Sequence, residues 1–139
     1  SHNRYTLLNR SANALFDHAQ ANGITVVNAA PYAGGVLAKG SDQVTRITYQ
    51  DATEATLAPV RRIEAICAQY GIAPGAAALQ FSLHDPRVAS TVVGVSKPGR
   101  VTQTLDWAAA PIPQEALAAL RALDYSATDP EADRVYVAG

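Results

Sequence analysis

An alternation constrains this chain most: runs rich in branched and aromatic residues are each followed by a segment with helical spacing, three times within 139 residues. Tyr5-Thr6-Leu7-Leu8 predicts a short buried strand. Ser11 then stands as the N-cap of a helix carrying Ala12, Leu15, Phe16 and Ala19, which Asn22-Gly23 stops. Ile24 to Asn28 predicts the second strand, continuous and β-branched as a parallel strand covered on both faces should be. After a long connection from Ala29 to Thr53, the positions Leu57, Val60, Ile63, Cys67 and Tyr70 mark one face of a helix closed by Gly71. Pro74 opens another helix, with Leu79 and Leu83 turned inward, and Asp85-Pro86 ends it. Val88 to Val93 predicts the third strand, Gly94 to Pro98 a tight loop, and Val101, Leu105 and Ala108 the buried stripe of the next helix. A last helix is expected from Pro113 to Leu123, and residues 124–139 read as a tail.

Strands alternating with helices pair in parallel through right-handed crossovers, which makes the class α/β. A (β/α)₈ barrel takes about 250 residues. A chain of this length is therefore either part of such a barrel or a small open sheet, and the pattern leaves both open. The chain contains no Met and opens on Ser1-His2, as expected of a piece of a longer protein.

A 48% hydrophobic content excludes a disordered tail. Eleven basic against twelve acidic residues leave a net charge of −1, which gives no electrostatic footprint for nucleic acid or an anionic membrane surface. No apolar run reaches the length of a membrane span. Lone Cys67 cannot close an internal disulfide, which argues for a reducing, cytoplasmic setting, and its place on an apolar helix face predicts an inert thiol.

Chemistry in parallel α/β folds sits on loops after the carboxyl ends of strands. The most informative loop is Gly94-Val95-Ser96-Lys97-Pro98-Gly99-Arg100, followed by Val101-Thr102-Gln103-Thr104. Glycines admit a ligand to the backbone, a helix N-terminus presents N–H groups, and Lys97 and Arg100 add cationic donors, so the segment suits a phosphate. A plain helix start has the same composition, and both readings stand at this level. Ala29-Ala30-Pro31-Tyr32-Ala33-Gly34-Gly35 is the second candidate, with small residues that leave room for a flat ligand; a plain turn reads similarly. His2, His18 and His84 lack metal-ligand spacing, the carboxylates are too scattered for an acid–base pair, and no nucleophile elbow or Gly-rich nucleotide motif is present.

At these loops the chain resembles the C-terminal half of the aldo-keto reductase family, over residues 3 to 123. Arg4-Tyr5-Thr6-Leu7-Leu8-Asn9-Arg10 is similar to the sixth barrel strand, Gly23 to Leu37 to the seventh strand and its loop, and Ser90 to Leu105 to the eighth strand with the cofactor-binding helix start. The wording is nearest the aldose, fucose and pyridoxal dehydrogenase branch. The resemblance implies the last three β-α units of a TIM barrel plus a C-terminal helix, in an NAD(P)-dependent oxidoreductase that moves hydride to or from the carbonyl carbon of an aldehyde or sugar. It implies that Gly94, Ser96, Lys97, Arg100, Gln103 and Thr104 hold the adenosine end of NADP or NAD, Arg100 meeting a 2′-phosphate. Ala29, Ala30, Pro31, Tyr32 and Gly34 would then run under the nicotinamide and along the pyrophosphate. Ala29 stands where the family often has a stacking aromatic, and Thr104 where it often has Asn. The family's catalytic Asp, Tyr, Lys and His belong to the first half of the barrel, so no catalytic residue is assigned to this chain. The expected partners are that missing half or a second copy forming a homodimer. A noncatalytic cofactor-binding barrel that acts as a redox sensor or as an interaction subunit is the alternative reading.

Overall fold

The computed structural model describes residues 1–48 and 50–132. Its centre is a pair of parallel strands, β1 (Val26–Ala29) and β4 (Val88–Val92), with Asn28 opposite Thr91 and Ala29 opposite Val92. Between them the chain runs through α2 (Val36–Lys39), a short antiparallel hairpin of β2 (Arg46–Ile47) and β3 (Gln50–Asp51), then α3 (Glu54–Gln69) and α4 (Pro74–Leu83). Helix α1 (Asn13–Ala21) precedes the pair, and α5 (Pro98–Ala109) and α6 (Gln114–Ala122) follow it. The α/β class is therefore observed: among the described residues there are two small sheets and no closed barrel.

The third parallel strand expected at Tyr5 to Leu8 does not form. Residues 1–3 do lie beside β1, since Ala29 donates its N–H to the Ser1 carbonyl at 2.8 Å and Asn3 donates to the Ala29 carbonyl at 3.3 Å. Asn3 then turns the backbone at φ 57°. Thr6 completes the bend: its hydroxyl accepts the N–H groups of Leu8 and Asn9, both at 3.1 Å, while its own N–H donates to the Asn9 carbonyl. A threonine hydroxyl bonded to nearby amides offers the backbone an alternative to a ladder. The apolar pattern still tells true on burial, because Tyr5, Thr6 and Leu7 are all inside.

Local signals placed the helix ends, except that Ala12 and not Ser11 is the N-cap of α1, since the Ser11 hydroxyl donates to Asn9 Oδ1 and caps no helix N–H. Gly23 and Gly71 take the left-handed conformation just past α1 and α3, where a Cβ would be strained. Thr53 and Thr56 form a capping box at the start of α3. Val60, Ile63 and Cys67 are buried as predicted, and burial pushes the Cys67 thiol up to about 11, as suits an inert core residue. Two faces came out otherwise. Leu15 and Leu83 are exposed, and so are Val101 and Leu105 of α5, the latter at 65%. Helix α5 instead turns Gln103, Thr104 and Trp107 toward the protein. Residues 124–132 pack back on the opening segment: Arg10 donates its N–H to the Ser126 carbonyl at 2.8 Å, Arg4 pairs with Asp129 at 2.9 Å, and Arg10 lies over the Tyr125 ring. The remainder of the expected tail lies outside the described residues.

At the amino end of β4, Arg87 ties three segments together. It donates to Asp85 through Nε at 3.0 Å and Nη2 at 2.7 Å, to Asp17 of α1 at 2.6 Å, and to Asn13 and the Tyr5 hydroxyl at 3.2 Å each. Burial alone would raise the Asp85 carboxyl, but hydrogen bonds from Arg87 and Tyr5 outweigh it and hold the group at about 2. Burial, with the Asp85 charge beside it, pushes the Tyr5 phenol up to about 12. A depressed carboxylate stabilises the fold above its unfolded pKa, and that gain fades as pH falls toward 2; a raised phenol stabilises below its unfolded pKa, and that gain is lost as pH rises toward 12. Urea titrations across pH should therefore show a plateau that falls at both ends, with roughly 2 kcal/mol lost on the acid side. Asp85→Asn should flatten the acid limb; an unchanged limb would show that other carboxylates govern it.

Candidate functional site

Because β1 and β4 are parallel, the loops that leave them emerge at one end of the sheet. The Ala30 N–H donates to the Val92 carbonyl at 3.2 Å and holds the two loops side by side. The first is tightly wound, with Ala30 at φ 57°, Ala33 at 49°, Gly34 at 69° and Gly35 at 96°. Alanine in this region is strained, and such strain collects where a loop must hold one shape.

Between the loops lies a groove of about 140 Å³ walled by Tyr32, Lys39, Gly94, Ser96, Arg100 and Gln103, with Thr104 and Trp107 beside them. The structure thus brings together six of the residues singled out from sequence: Tyr32, Gly94, Ser96, Arg100, Gln103 and Thr104. Lys97, at the N-cap of α5, is exposed and does not line the groove. Ala29 is the last residue of β1, and Ala30 and Pro31 lead from it toward Tyr32. Gly34 faces the hairpin, where a Cβ would sit 2.8 Å from the Thr48 backbone nitrogen. Lys39 and Trp107 were not foreseen as wall residues. Lys39 arrives on the four-residue helix α2, whose position depends on the preceding turn.

The groove is positively charged and partly prearranged. Arg100 Nη1 donates to Gln103 Oε1 at 2.7 Å, which steadies the guanidinium, and the Thr104 hydroxyl donates to the Arg100 carbonyl at 2.8 Å. No acidic residue occupies the first turn of α5, so nothing there competes for its N-terminal dipole. The Tyr32 hydroxyl is buried without a hydrogen-bond partner. Burial pushes that phenol up, and the nearby Thr104 hydroxyl and Arg100 charge pull it part of the way back. An unpaired buried hydroxyl costs about 1–3 kcal/mol, a cost that a polar ligand in the groove would relieve.

The floor is held from below by α4. Gln80 donates its amide to the Trp107 carbonyl at 2.8 Å and to the Ala110 carbonyl at 2.7 Å, fixing the far end of α5. Trp107 lies directly on Gly75 and meets the Tyr32 ring edge-on at 5.6 Å. Among the described residues no cluster of side chains could hold a metal ion, and no helix is long and apolar enough to cross a membrane.

A parallel α/β protein with a cationic groove at the carboxyl ends of its strands is the class this geometry defines. Comparison narrows it. The sequence model of the aldo/keto reductase family matches residues 1–125, and the chain belongs to that family. It is 33% identical over 119 residues to a pyridoxal 4-dehydrogenase of Microbacterium luteolum, covering 85% of this chain and 35% of that protein. It is 34% identical over 112 residues to a D-threo-aldose 1-dehydrogenase of a Pseudomonas species, covering 79% of this chain and 34% of that one. The chain thus spans about a third of the length of the curated relatives it matches. Both relatives are oxidoreductases by name, which supports oxidoreductase chemistry in general terms.

The contact between Gly75 and Trp107 is open to test. A Cβ on Gly75 would fall 2.4 Å from two atoms of the Trp107 ring, so Gly75→Ala must displace the indole. Overpacking of this kind costs about 1–3 kcal/mol. Trp107 is the single tryptophan, so its fluorescence should shift in the same variant that loses stability. An unmoved spectrum would mean the indole does not rest on α4.

Proposed function

We propose that this chain is the cofactor-binding portion of an NAD(P)-dependent aldo-keto reductase-type barrel, contributing the two parallel strands β1 and β4, the helices around them and a C-terminal helix. The observation that carries the reading is the groove between the two strand loops, with its braced Arg100, its second cation Lys39 and its orphaned Tyr32 hydroxyl. A space of about 140 Å³ suits a phosphate or a single heterocycle, so the residues fit one end of a dinucleotide. Gly94, Ser96, Arg100, Gln103 and Thr104 would hold the adenosine end, with Lys97 adding charge from the rim. Ala29, Ala30, Pro31, Tyr32 and Gly34 would shape the path toward the other end. When bound, the nicotinamide would supply hydride to the carbonyl carbon of an aldehyde or sugar, the compound class named by the two relatives, or accept it from the corresponding hydroxyl-bearing carbon.

Within this reading the chain's own residues bind and orient. A guanidinium held by Gln103 keeps its remaining donors in a fixed fork, which matches a phosphate better than a mobile ammonium does. NADP is favoured over NAD for that reason. The proton-transferring groups are supplied by the rest of the barrel, the proposed partner of this chain, and a cytoplasmic location fits the lone buried thiol. The exposed apolar stripe of Val101 and Leu105 is then the surface that the rest of the barrel covers.

In the natural full-length protein, Arg100→Ala should weaken NADP far more than NAD in a fluorescence titration; equal losses would remove the assigned role. Gly94→Val serves as a second probe. A Cβ at Gly94 meets nothing within 4 Å and its φ is not positive, so the unfolding midpoint should hold while cofactor binding falls. The 139-residue chain by itself should show no cofactor-dependent carbonyl reduction above background. Turnover abolished by Tyr32→Phe would show instead that the chain carries its own acid.

A further inference from the structure

Asn22-Gly23 is the one Asn-Gly pair in the sequence, and it takes no part in the groove between the strand loops. It stands between α1 and β1, with Asn22 as the C-cap of α1 and Gly23 in the left-handed conformation that follows. Every residue from Gln20 to Thr25 is exposed. A Cβ on Gly23 would meet nothing within 4 Å, so neither a side chain nor a neighbouring element shields its peptide nitrogen. The other asparagines differ on both counts. Asn3 and Asn9 are buried and precede arginines, Asn28 is fully buried, and Asn13 is half-buried and bonded to Arg87.

The chemistry open to such a pair is a ring closure within the chain. The Gly23 nitrogen attacks Asn22 Cγ; the new C–N bond closes a five-membered imide while the Cγ–Nδ2 bond breaks, and the proton lost from the Gly23 nitrogen leaves with Nδ2 as ammonia. Water then opens the imide at either carbonyl, which leaves aspartate or isoaspartate. In the folded protein this site is latched. Closure needs the Gly23 nitrogen eclipsed with Asn22 Cβ about the Cα–C bond, whereas the observed ψ of 11° nearly eclipses it with the Asn22 nitrogen. Three hydrogen bonds hold that arrangement: Asn22 Nδ2 donates to the His18 carbonyl at 2.8 Å, the Gly23 N–H to the Gln20 carbonyl at 3.2 Å and the Ile24 N–H to the Ala19 carbonyl at 2.8 Å. All belong to an exposed helix end, where opening is local and costs far less than unfolding.

We infer that Asn22 is a deamidation site, gated by the last turn of α1, whose product loosens that helix. The product carries a carboxylate where the amide had donated to His18, at the negative end of the helix dipole. The change falls on the helix whose Asn13 and Asp17 meet Arg87.

The test is ageing of the natural full-length protein at mildly alkaline pH beside a synthetic peptide of residues 11–39, the tryptic fragment that holds Asn13, Asn22 and Asn28. Fragment sequencing by mass spectrometry should place the amide-to-acid conversion at Asn22, as a mixture of aspartate and isoaspartate. It should run roughly tenfold slower in the protein than in the peptide, because the turn must first give up its hydrogen bonds. Ala21→Gly, an exposed change that weakens the last turn, should raise the protein's rate relative to that of the matching peptide by about fivefold. Asn22→Asp, which imitates one product, should lower the folded-to-unfolded ratio by about two- to fivefold. Conversion first at Asn13 or Asn28, a wholly intact Asn22 once the peptide has converted, equal rates in protein and peptide, no gain in Ala21→Gly, or an Asn22→Asp protein as stable as the parent would overturn the inference.

Discussion

The guanidinium of Arg87 is the constraint on which the remaining structure hangs. Its donors reach Asp85 twice, Asp17, Asn13 and the Tyr5 hydroxyl, and its plane lies over the Tyr5 and Phe16 rings at 5.4 and 5.5 Å. Only arginine offers that planar fork, and a lysine could not satisfy so many acceptors at fixed angles. The cluster fastens α1 and the opening segment to the turn before β4. Desolvation of the charges works against it, and bidentate geometry with several bonds is what makes such a buried pair tenable. Its location matters as much as its strength. It sits at the amino end of β4, while the loops with chemical potential leave the carboxyl ends, so rigidity and ligand access occupy opposite ends of the same strands.

Order passes from one end to the other through a short relay of polar groups. Asn28 on β1 is fully buried; its amide donates to the Tyr5 carbonyl at 3.0 Å and to the Ser82 hydroxyl at 2.9 Å, and Ser82 meets the Thr91 hydroxyl of β4 at 2.7 Å. Both strands and α4 are thereby held in one register. Helix α4, with nearly every side chain inside, then carries α5 through Gln80 and the Gly75–Trp107 contact. Helix α5 buries no residue of its own. It is a platform fixed at its carboxyl end and along its Trp107 face, with its amino end left to face the groove.

What could be read from the sequence were features decided within a few residues. The glycine stops at Gly23 and Gly71, the proline start of α4, the branched strands β1 and β4 and the two loops after them all have local causes. What could not be read depended on distant partners or on competition. Tyr5 to Leu8 has strand composition, yet Asn3 and the Thr6 hydroxyl turn the backbone before a ladder can extend. In α5 the apolar period through Val101 and Leu105 was visible, but which face turns inward was settled by Gly75 making room for Trp107, a fact encoded on another helix. The fold-back of residues 124–132 needs Arg4 and Arg10, more than a hundred positions away in the chain. For the candidate site, the loop residues were legible and the opposing wall was not, because Lys39 reaches the groove only through the left-handed turn at Gly34 and Gly35.

Net charge was the least informative number of all. A value of −1 conceals a separation of charge across a single loop. Among the described residues, Lys39 and Arg100 face a groove with no carboxylate in its lining on one side, and on the other three aspartates outnumber Arg62 in the lining of a second groove. Coulomb energies at these separations are set locally, since exposed charges farther apart than about 10 Å are screened at moderate salt. Each groove therefore presents its own sign to a ligand whatever the whole molecule carries. Gly34 is what permits the division: its backbone approaches Thr48 so closely that a side chain would push the hairpin away, and the hairpin supplies a wall of the acidic groove. One glycine in the dividing loop thus keeps an anion-favouring space and a donor-favouring space within a residue of each other.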